Sequence, residues 1–150
     1  MIGLLQRVTE AAVEVDGREV ARIGAGLLVL VGVERGDTER EAKRLLERLL
    51  GYRVFADEQQ RMNRSLLDTG GGLLLVPQFT LAAETRKGTR PGFSTAAAPT
   101  DGERLYGRLL ELARERLPGV QAGIFGAHMR VRLENDGPVT FWLQVAPVGT

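Results

Sequence analysis

The C-terminal part of the chain contains a turn motif, Asn135-Asp136-Gly137-Pro138-Val139-Thr140, which lies between two strand-like segments. Apolar and charged residues alternate over residues 128–134, and residues 139–145 are rich in apolar, β-branched and aromatic side chains. Both patterns are typical of strands. Because Pro138 has no N–H group and disfavours the helical conformation at Gly137, the motif predicts a stiff corner rather than a two-residue hairpin.

This corner has two interpretations. It exposes carbonyl oxygens and has no side chain at Gly137, so it can approach another molecule closely. A Gly-Pro bond can also be cis at modest cost. An ordinary tight turn explains the same residues, since Gly and Pro together usually mark turns. The residues of the motif leave both interpretations open.

Length and composition exclude several classes of protein. A chain of 150 residues is expected to form one domain, residues 1–150. The net charge of +1 gives no global field for a nucleic acid, so any such contact requires a local patch. The absence of cysteine excludes disulfides, thiolate metal sites and a Cys nucleophile, and it fits a reducing cytoplasm. One histidine is too few for a His-based metal site, and we expect neither a signal peptide nor a membrane span.

The rest of the pattern predicts a strand-rich chain with two helices. Capping boxes start the helices at Thr38 with Glu41 and at Thr100 with Glu103, and they end at Gly51 and near Arg116. Strands are predicted at residues 2–8, 11–15, 18–23, 27–33, 52–55, 73–81 and 120–125, and on both sides of the 135–140 motif, with loops at 57–72 and 82–100. This order favours a mixed α/β fold, a strongly twisted, barrel-like β-sheet with two packed helices.

Most common catalytic arrangements are missing from the sequence. Gly70-Gly71-Gly72 lacks the Lys and Ser/Thr of a phosphate-binding loop. Gln78 and Thr80 share one face at the end of an apolar strand, where they either bond a neighbouring loop or form a polar pocket. Thr80 as a nucleophile would need an adjacent base, and none is near it in sequence. His128 is either a base or a surface residue.

Two motifs give the chain a resemblance to the D-aminoacyl-tRNA deacylases, a family also known as the D-tyrosyl-tRNA deacylases. The family's Ser-Gln-Phe-Thr motif corresponds to Pro77-Gln78-Phe79-Thr80, and its Asn-x-Gly-Pro-x-Thr motif corresponds to residues 135–140. The resemblance extends over essentially the whole chain. Supporting matches in the same order are Gln6-Arg7-Val8, Val15-Asp16-Gly17, Met62-Asn63, residues 65–68 and Thr85-Arg86-Lys87-Gly88.

The resemblance implies a homodimeric, cofactor-free and metal-free hydrolase that cleaves D-amino acids and glycine from aminoacyl-tRNA in the cytoplasm. This is a proofreading activity in translation quality control, with an active site at the subunit interface and no DNA or membrane partner. In the family the Gly-Pro bond is cis, and its loop enters the partner subunit's pocket. The carbonyls of that loop leave no room for an L side chain, so the substrate's chirality is judged by exclusion.

The resemblance also assigns roles to individual residues. Backbone N–H groups of Phe79 and Thr80 are expected to hold the ester carbonyl, and the ribose 2′-hydroxyl of the tRNA would assist attack. Thr80 would then position the substrate rather than act as nucleophile. The expected catalytic residues are Gln78, Phe79 and Thr80, and those for substrate binding and chiral selection are Gly137, Pro138, Met129, Asn135, Thr140 and Arg7. Charge and reach, rather than the resemblance, make Arg86, Lys87 and Arg90 the candidates for contacts with tRNA phosphates. The alternative is a solvated basic loop, since runs of charge are common on protein surfaces.

Two positions depart from the family pattern. Pro77 replaces the family's Ser, and His128 lies where the family often has Asp. Two alternatives therefore stay open. One is a dimeric RNA-binding module that has lost catalysis through Pro77, and the other is a small-molecule esterase with no RNA partner.

Overall fold

The first strand, β1 (Ile2–Val15), is the element on which the sheet is built. In a computed structural model that describes residues 1–148, β1 pairs antiparallel with β2 (Arg18–Ile23) and β3 (Gly26–Gly32). It also pairs antiparallel with β8 (Arg130–Gln144) along most of its length. The predicted strands 2–8 and 11–15 are thus one continuous strand. The polar residues between them interrupt the apolar pattern, and the pairing with β8 shifts register there, between Val8 and Glu10, but continues on both sides.

The sheet continues from β3 through β6 (Gly72–Pro77) to β7 (Gln121–Ala122), with both new pairs parallel. Its strand order is β2-β1-β3-β6-β7, with β8 on β1. Because β2 also contacts β6 and β7, the sheet curls into a nearly closed barrel. The predicted mixed α/β class with a barrel-like sheet is confirmed.

The two faces of the sheet form two cores. One face is covered by α1 (Glu39–Gly51) and α3 (Pro99–Arg116), and the other lies inside the curl. Strand β3 contributes to both, since Leu27 belongs to the first core and Leu28 to the second. Its continuous apolar run is therefore explained by burial on both faces, as predicted.

Local signals in the sequence placed several elements correctly. Asp16 and Gly17 have φ values of 50° and 75°, which form the hairpin turn between β1 and β2. The Thr38 and Glu41 capping box starts α1 as predicted.

The second predicted capping box is wrong, because Ala98 is the N-cap of α3 and Pro99 is its first residue. Proline at this position has a suitable fixed φ and lacks an N–H that would be unpaired anyway.

The short elements between the helices differ most from the prediction. The strand expected at residues 52–55 is β4 (Phe55–Ala56), which pairs with β5 (Met62–Arg64). The expected loop 57–72 contains β5 and a third helix, α2 (Leu66–Thr69), with its own Ser65 and Asp68 capping box. Elements this short show no hydrophobic periodicity. The spacing of Ser65 and Asp68 was the one local signal for α2, and the sequence analysis did not use it. Among residues 1–148, no helix is long and apolar enough to cross a membrane.

The predicted strands at 73–81 and 120–125 are also shorter than expected. Strand β6 ends at Pro77 and is followed by a 3₁₀ turn (Phe79–Ala82). Strand β7 contains only Gln121 and Ala122. Strand β6 is paired with β3 up to Pro77, and β7 is paired with β6 only at Leu74 and Leu75.

Candidate active site

The 135–140 motif is an outward excursion within β8. Thr140 pairs with Gln6 and Asn135 pairs with Val8, so residues 136–139 together lie opposite Arg7 alone. The predicted corner between two separate strands is therefore wrong. Both flanks run in the same direction along β1, and the motif is a bulge in one long strand.

Side chains at the base of this excursion hold its shape. The Asn135 side chain accepts a hydrogen bond from the Val139 N–H (2.8 Å) and donates one to the Thr140 hydroxyl (2.7 Å). The guanidinium of Arg7 donates to the Asp136 carbonyl (3.0 Å) and to the Val54 carbonyl (2.8 Å). Asn135, Thr140 and Arg7, to which the resemblance assigns substrate selection, thus contact the excursion itself.

The tip of the excursion is exposed. The Gly137-Pro138 bond is cis, as the resemblance implied, and Gly137 has a φ of 138°. A Cβ at Gly137 would lie 2.6 Å from Cγ2 of Val139 and 3.2 Å from a guanidinium nitrogen of Arg7. Only glycine fits this position, so the tip presents backbone atoms and the proline ring to solvent.

The second candidate region is the end of β6. The Gln78 N–H donates to the Val31 carbonyl (2.7 Å), and the chain then turns into the 3₁₀ segment. The Gln78 side-chain amide donates to the Thr80 hydroxyl. The two polar side chains are therefore hydrogen-bonded to each other. The sequence had left open whether they bond a neighbouring loop or form a polar pocket.

Backbone donors are also available in this turn. Its first closing bond runs from the Leu81 N–H to the Gln78 carbonyl (3.2 Å). The N–H groups of Phe79 and Thr80 precede that bond, so they have no acceptor within the turn. Two adjacent N–H groups are therefore free of backbone acceptors in this turn, and their role as donors to the ester carbonyl stays a prediction.

A cavity of about 440 Å³ opens beside the strand end. Gln78, Phe79, His128 and Met129 line it, and Thr80 lies next to the lining residues Gln78 and Phe79. The other walls are mainly apolar and come from β3, the end of β6, α3 and residues 125–131; they include Val31, Val76, Pro77, Tyr106, Phe125 and Val131.

Tyr106 and Phe125 are pocket residues that the sequence analysis did not find. The Tyr106 hydroxyl is buried within hydrogen-bond distance of the carbonyls of Leu75 (2.9 Å) and Gly123 (3.2 Å). Burial raises the pKa of Tyr106 well above its usual value, so this hydroxyl stays protonated and braces the pocket wall. Tyr106 lies in α3 and Phe125 follows β7. Nothing in the sequence indicated that these two residues would line the same cavity.

Pro77 fits its position without breaking the sheet. It is the last residue of β6, and β7 pairs only with Leu74 and Leu75. The pairing between β6 and β7 therefore ends before Pro77. The N–H group that proline lacks would have had no partner in β7, so no strand hydrogen bond is lost on that side. The change from the family's Ser replaces a hydroxyl at the pocket wall with an apolar ring.

The structure divides the predicted site residues between two places. Gln78, Phe79 and Met129 line the cavity with Thr80 next to them in the chain, whereas Arg7 and the 135–140 motif lie at the β8 excursion. Within the described residues 1–148, no residue of the motif lines the cavity. The same part of the chain contains no cluster of side chains suited to a metal ion.

The basic loop, residues 85–91, begins three residues after the 3₁₀ turn and is closed at its base. Backbone bonds join Glu84 and Gly92 in both directions (2.7 and 3.0 Å), so residues 85–91 project from a narrow base. Arg86 bonds both carboxylate oxygens of Glu84 (3.0 and 2.7 Å), and these bonds lower the pKa of Glu84 to about 2. Lys87 and Arg90 are exposed and have no ion-pair partner among the residues that the structure describes.

Comparisons with known proteins agree with these features. A sequence model of the D-Tyr-tRNA(Tyr) deacylase family matches residues 4–144. A D-aminoacyl-tRNA deacylase of Alkalilimnicola ehrlichii is 66% identical over 147 residues, which cover 98% of each chain. One of Paracidovorax citrulli is 63% identical over 150 residues, covering 100% of this chain and 97% of that protein.

Solved structures show the same fold. A protein described as c-Myc DNA Unwinding Element Binding Protein superposes with a TM-score of 0.93 at 38% identity, over 97% of this chain and 99% of that chain. A probable eukaryotic D-amino acid tRNA deacylase superposes with a TM-score of 0.82 at 21% identity, over 96% and 98%. The chain therefore belongs to the D-Tyr-tRNA(Tyr) deacylase family, and the enzyme class that its motifs predict, a D-aminoacyl-tRNA deacylase, is confirmed.

Proposed function

We propose that this deacylase hydrolyses the ester bond of both D-aminoacyl-tRNA and glycyl-tRNA, and that the 135–140 excursion rejects L-amino acids. The observation that carries the proposal is the exposed, side-chain-free tip at Gly137, held from below by Arg7 and Asn135. A fixed backbone surface discriminates by collision, because it cannot retreat from an L side chain. Glycine has no side chain and passes the same surface.

The excursion and the cavity are proposed to form one site across a homodimer. The tip of the excursion is exposed and lies apart from the cavity of its own chain. A two-fold arrangement would bring each excursion to the cavity of the partner subunit and create two equivalent sites. The separation within one chain is what supports this arrangement.

Catalysis is proposed to rest on the turn after β6. The N–H groups of Phe79 and Thr80 would bind the developing oxyanion, and loss of one such donor typically lowers kcat by about 10²–10³. The Thr80 hydroxyl accepts a hydrogen bond from Gln78, which leaves its own hydrogen free to orient the substrate. Since no base is bonded to Thr80, we assign it a positioning role and leave water activation to the ribose 2′-hydroxyl.

The basic loop is proposed to contact tRNA phosphates. Lys87 and Arg90 have free charges, whereas Arg86 is held by Glu84 and shapes the loop. A tRNA substrate and a chain without cysteine support action in the cytoplasm.

A deacylation time course on D-Tyr-tRNA, Gly-tRNA and L-Tyr-tRNA tests the function. We expect release from the first two and none from the third, which would also show that the hydroxyl replaced by Pro77 is dispensable. No release from any substrate, with tRNA binding intact, would favour the RNA-binding module. Turnover of simple D-amino acid esters without salt-dependent RNA binding would favour the esterase.

Subunit complementation tests the shared site. Thr80→Ala removes the hydroxyl that would position the substrate in the cavity. Gly137→Ala distorts the excursion that is proposed to complete the same site, so each variant alone should cleave D-Tyr-tRNA poorly. In a mixed population, about one quarter of the sites would combine an intact cavity with an intact excursion from the other chain, and activity should return in that proportion. Continued inactivity of a mixture shown to contain heterodimers would place the whole site within one chain.

A further inference from the structure

We infer that Phe93, together with the outer edge of Phe79, forms a stacking platform for the unpaired tRNA base that precedes the aminoacylated nucleotide. The inference rests on the proposed function and adds a contact that the family motifs do not contain. Its starting point is an exposed aromatic pair beside the cavity. The ring centroids of Phe79 and Phe93 are 5.2 Å apart at an angle of 43°, and the residues are 59% and 44% exposed.

The position of Phe93 is fixed by the backbone around it. The Ala96 N–H donates to the Phe93 carbonyl (3.2 Å), and the Thr95 hydroxyl donates to the Ala82 carbonyl (2.5 Å). These bonds hold the segment against the 3₁₀ turn that carries Phe79. Phe93 is therefore presented to solvent in a set position, which lowers the entropy cost of stacking on it.

The pair extends the cavity outward. Phe79 lines the cavity, and Phe93 contacts Phe79 but lies outside the lining. A nucleotide whose ester carbonyl reaches the N–H groups of Phe79 and Thr80 would continue past Phe79 towards Phe93. The next base along the strand is thus the group that meets the free face of Phe93.

Charge near the platform favours a nucleic acid strand over another protein surface. Phe93 directly follows Gly92, which closes the base of the loop carrying Lys87 and Arg90. The carboxylate at that base, Glu84, is neutralised by Arg86. Aromatic faces next to free cations are the usual means of holding single-stranded RNA, with bases on the rings and phosphates on the cations.

The test compares Phe93→Leu with Phe93→Trp on two substrates. D-Tyr-tRNA contains the preceding base, whereas D-tyrosyl-adenosine does not. With Phe93→Leu we expect KM for D-Tyr-tRNA to rise about 10-fold at unchanged kcat, and no change for D-tyrosyl-adenosine. Phe93→Trp should keep the wild-type KM, and Val20→Ala, an exposed apolar residue on β2, is the matched control.

Other outcomes would overturn the inference. An equal loss on both substrates would show that the ring only packs against Phe79. A changed oligomeric state in Phe93→Leu would show that the partner subunit covers it. Failure of the proposed function is distinguishable, because the wild-type protein would then cleave neither substrate.

A direct probe does not depend on the variants. An RNA acceptor end with 2-aminopurine in place of the preceding base should lose fluorescence when wild-type protein binds, since stacking quenches the fluorophore. Salt-sensitive binding with unchanged fluorescence would exclude the platform.

Discussion

Arg7 shows how much a single side chain contributes to this site. Its guanidinium joins β1 to the Asp136 carbonyl in the excursion and to the Val54 carbonyl before β4. Its side chain is only 16% exposed, so these bonds are partly shielded from water. A flat guanidinium donates in two directions at once, which a lysine ammonium at the same place cannot reproduce with the same geometry.

We therefore expect Arg7→Lys to loosen the excursion. Loss of one hydrogen bond from a charged donor costs about 1.5–3 kcal/mol, so deacylation of D-Tyr-tRNA should fall by about 10- to 100-fold. Some cleavage of L-Tyr-tRNA should appear as the tip becomes mobile. Kinetics on both substrates measure this, with the exposed Arg18→Lys as control, and unchanged rates would show that Arg7 does not hold the excursion in place.

At the scale of elements, the start of α1 depends on a buried carboxylate. Burial by itself raises the pKa of Glu41, but hydrogen bonds from Thr38 and Arg40 outweigh it and hold the pKa at about 2. The folded-state pKa is thus below the ordinary value of 4.5. The charged form stabilises the fold above about pH 4.5, and this contribution is lost as the pH falls towards 2.

Glu41→Gln should remove that pH dependence along with part of the cap. We expect a loss of about 1–2 kcal/mol in the free energy of unfolding at pH 7, and a flatter decline of stability between pH 4.5 and 2. Urea unfolding across this pH range measures both effects. Glu47→Gln, exposed on the same helix, should cost below about 0.5 kcal/mol, and an equal loss in the two variants would contradict the capping role.

The parallel pair β3–β6 begins with a close backbone approach. A Cβ at Gly26 would lie 2.0 Å from the Gly72 carbonyl oxygen, so a side chain there forces the strands apart. Gly26→Ala should therefore destabilise the protein by about 3 kcal/mol or more. Gly24→Ala is the matched control, because nothing lies within 4 Å of its added Cβ. Similar thermal midpoints for the two variants would show that the strands adjust freely.

For the whole molecule, a net charge of +1 means that tRNA attraction has to be local. Lys87→Ala and Arg90→Ala should each reduce the slope of log K against log salt concentration for tRNA binding by about 1. Arg86→Ala should change this slope less, because Glu84 already occupies its guanidinium. Fluorescence titration of tRNA at several salt concentrations measures the slopes. If Arg18→Ala reduces the slope as much as Lys87→Ala, the contact surface is not the 85–91 loop.

Some features of this protein were determined by the sequence alone. The β1–β2 hairpin, the capping box of α1, the two-sided burial of β3 and the family motifs all depend on residues close together in the chain. The hairpin turn and the capping box follow from local dihedral preferences and neighbouring hydrogen-bond groups. The burial of β3 on both faces was indicated by its continuous apolar run.

Other features were decided only by the tertiary structure. The flanks of the 135–140 motif form one strand because both pair with β1. The separation of the cavity from the excursion, and the contact of Phe93 with Phe79, depend on how distant segments pack. Such contacts join residues far apart in sequence, and no local pattern encodes which segments will meet.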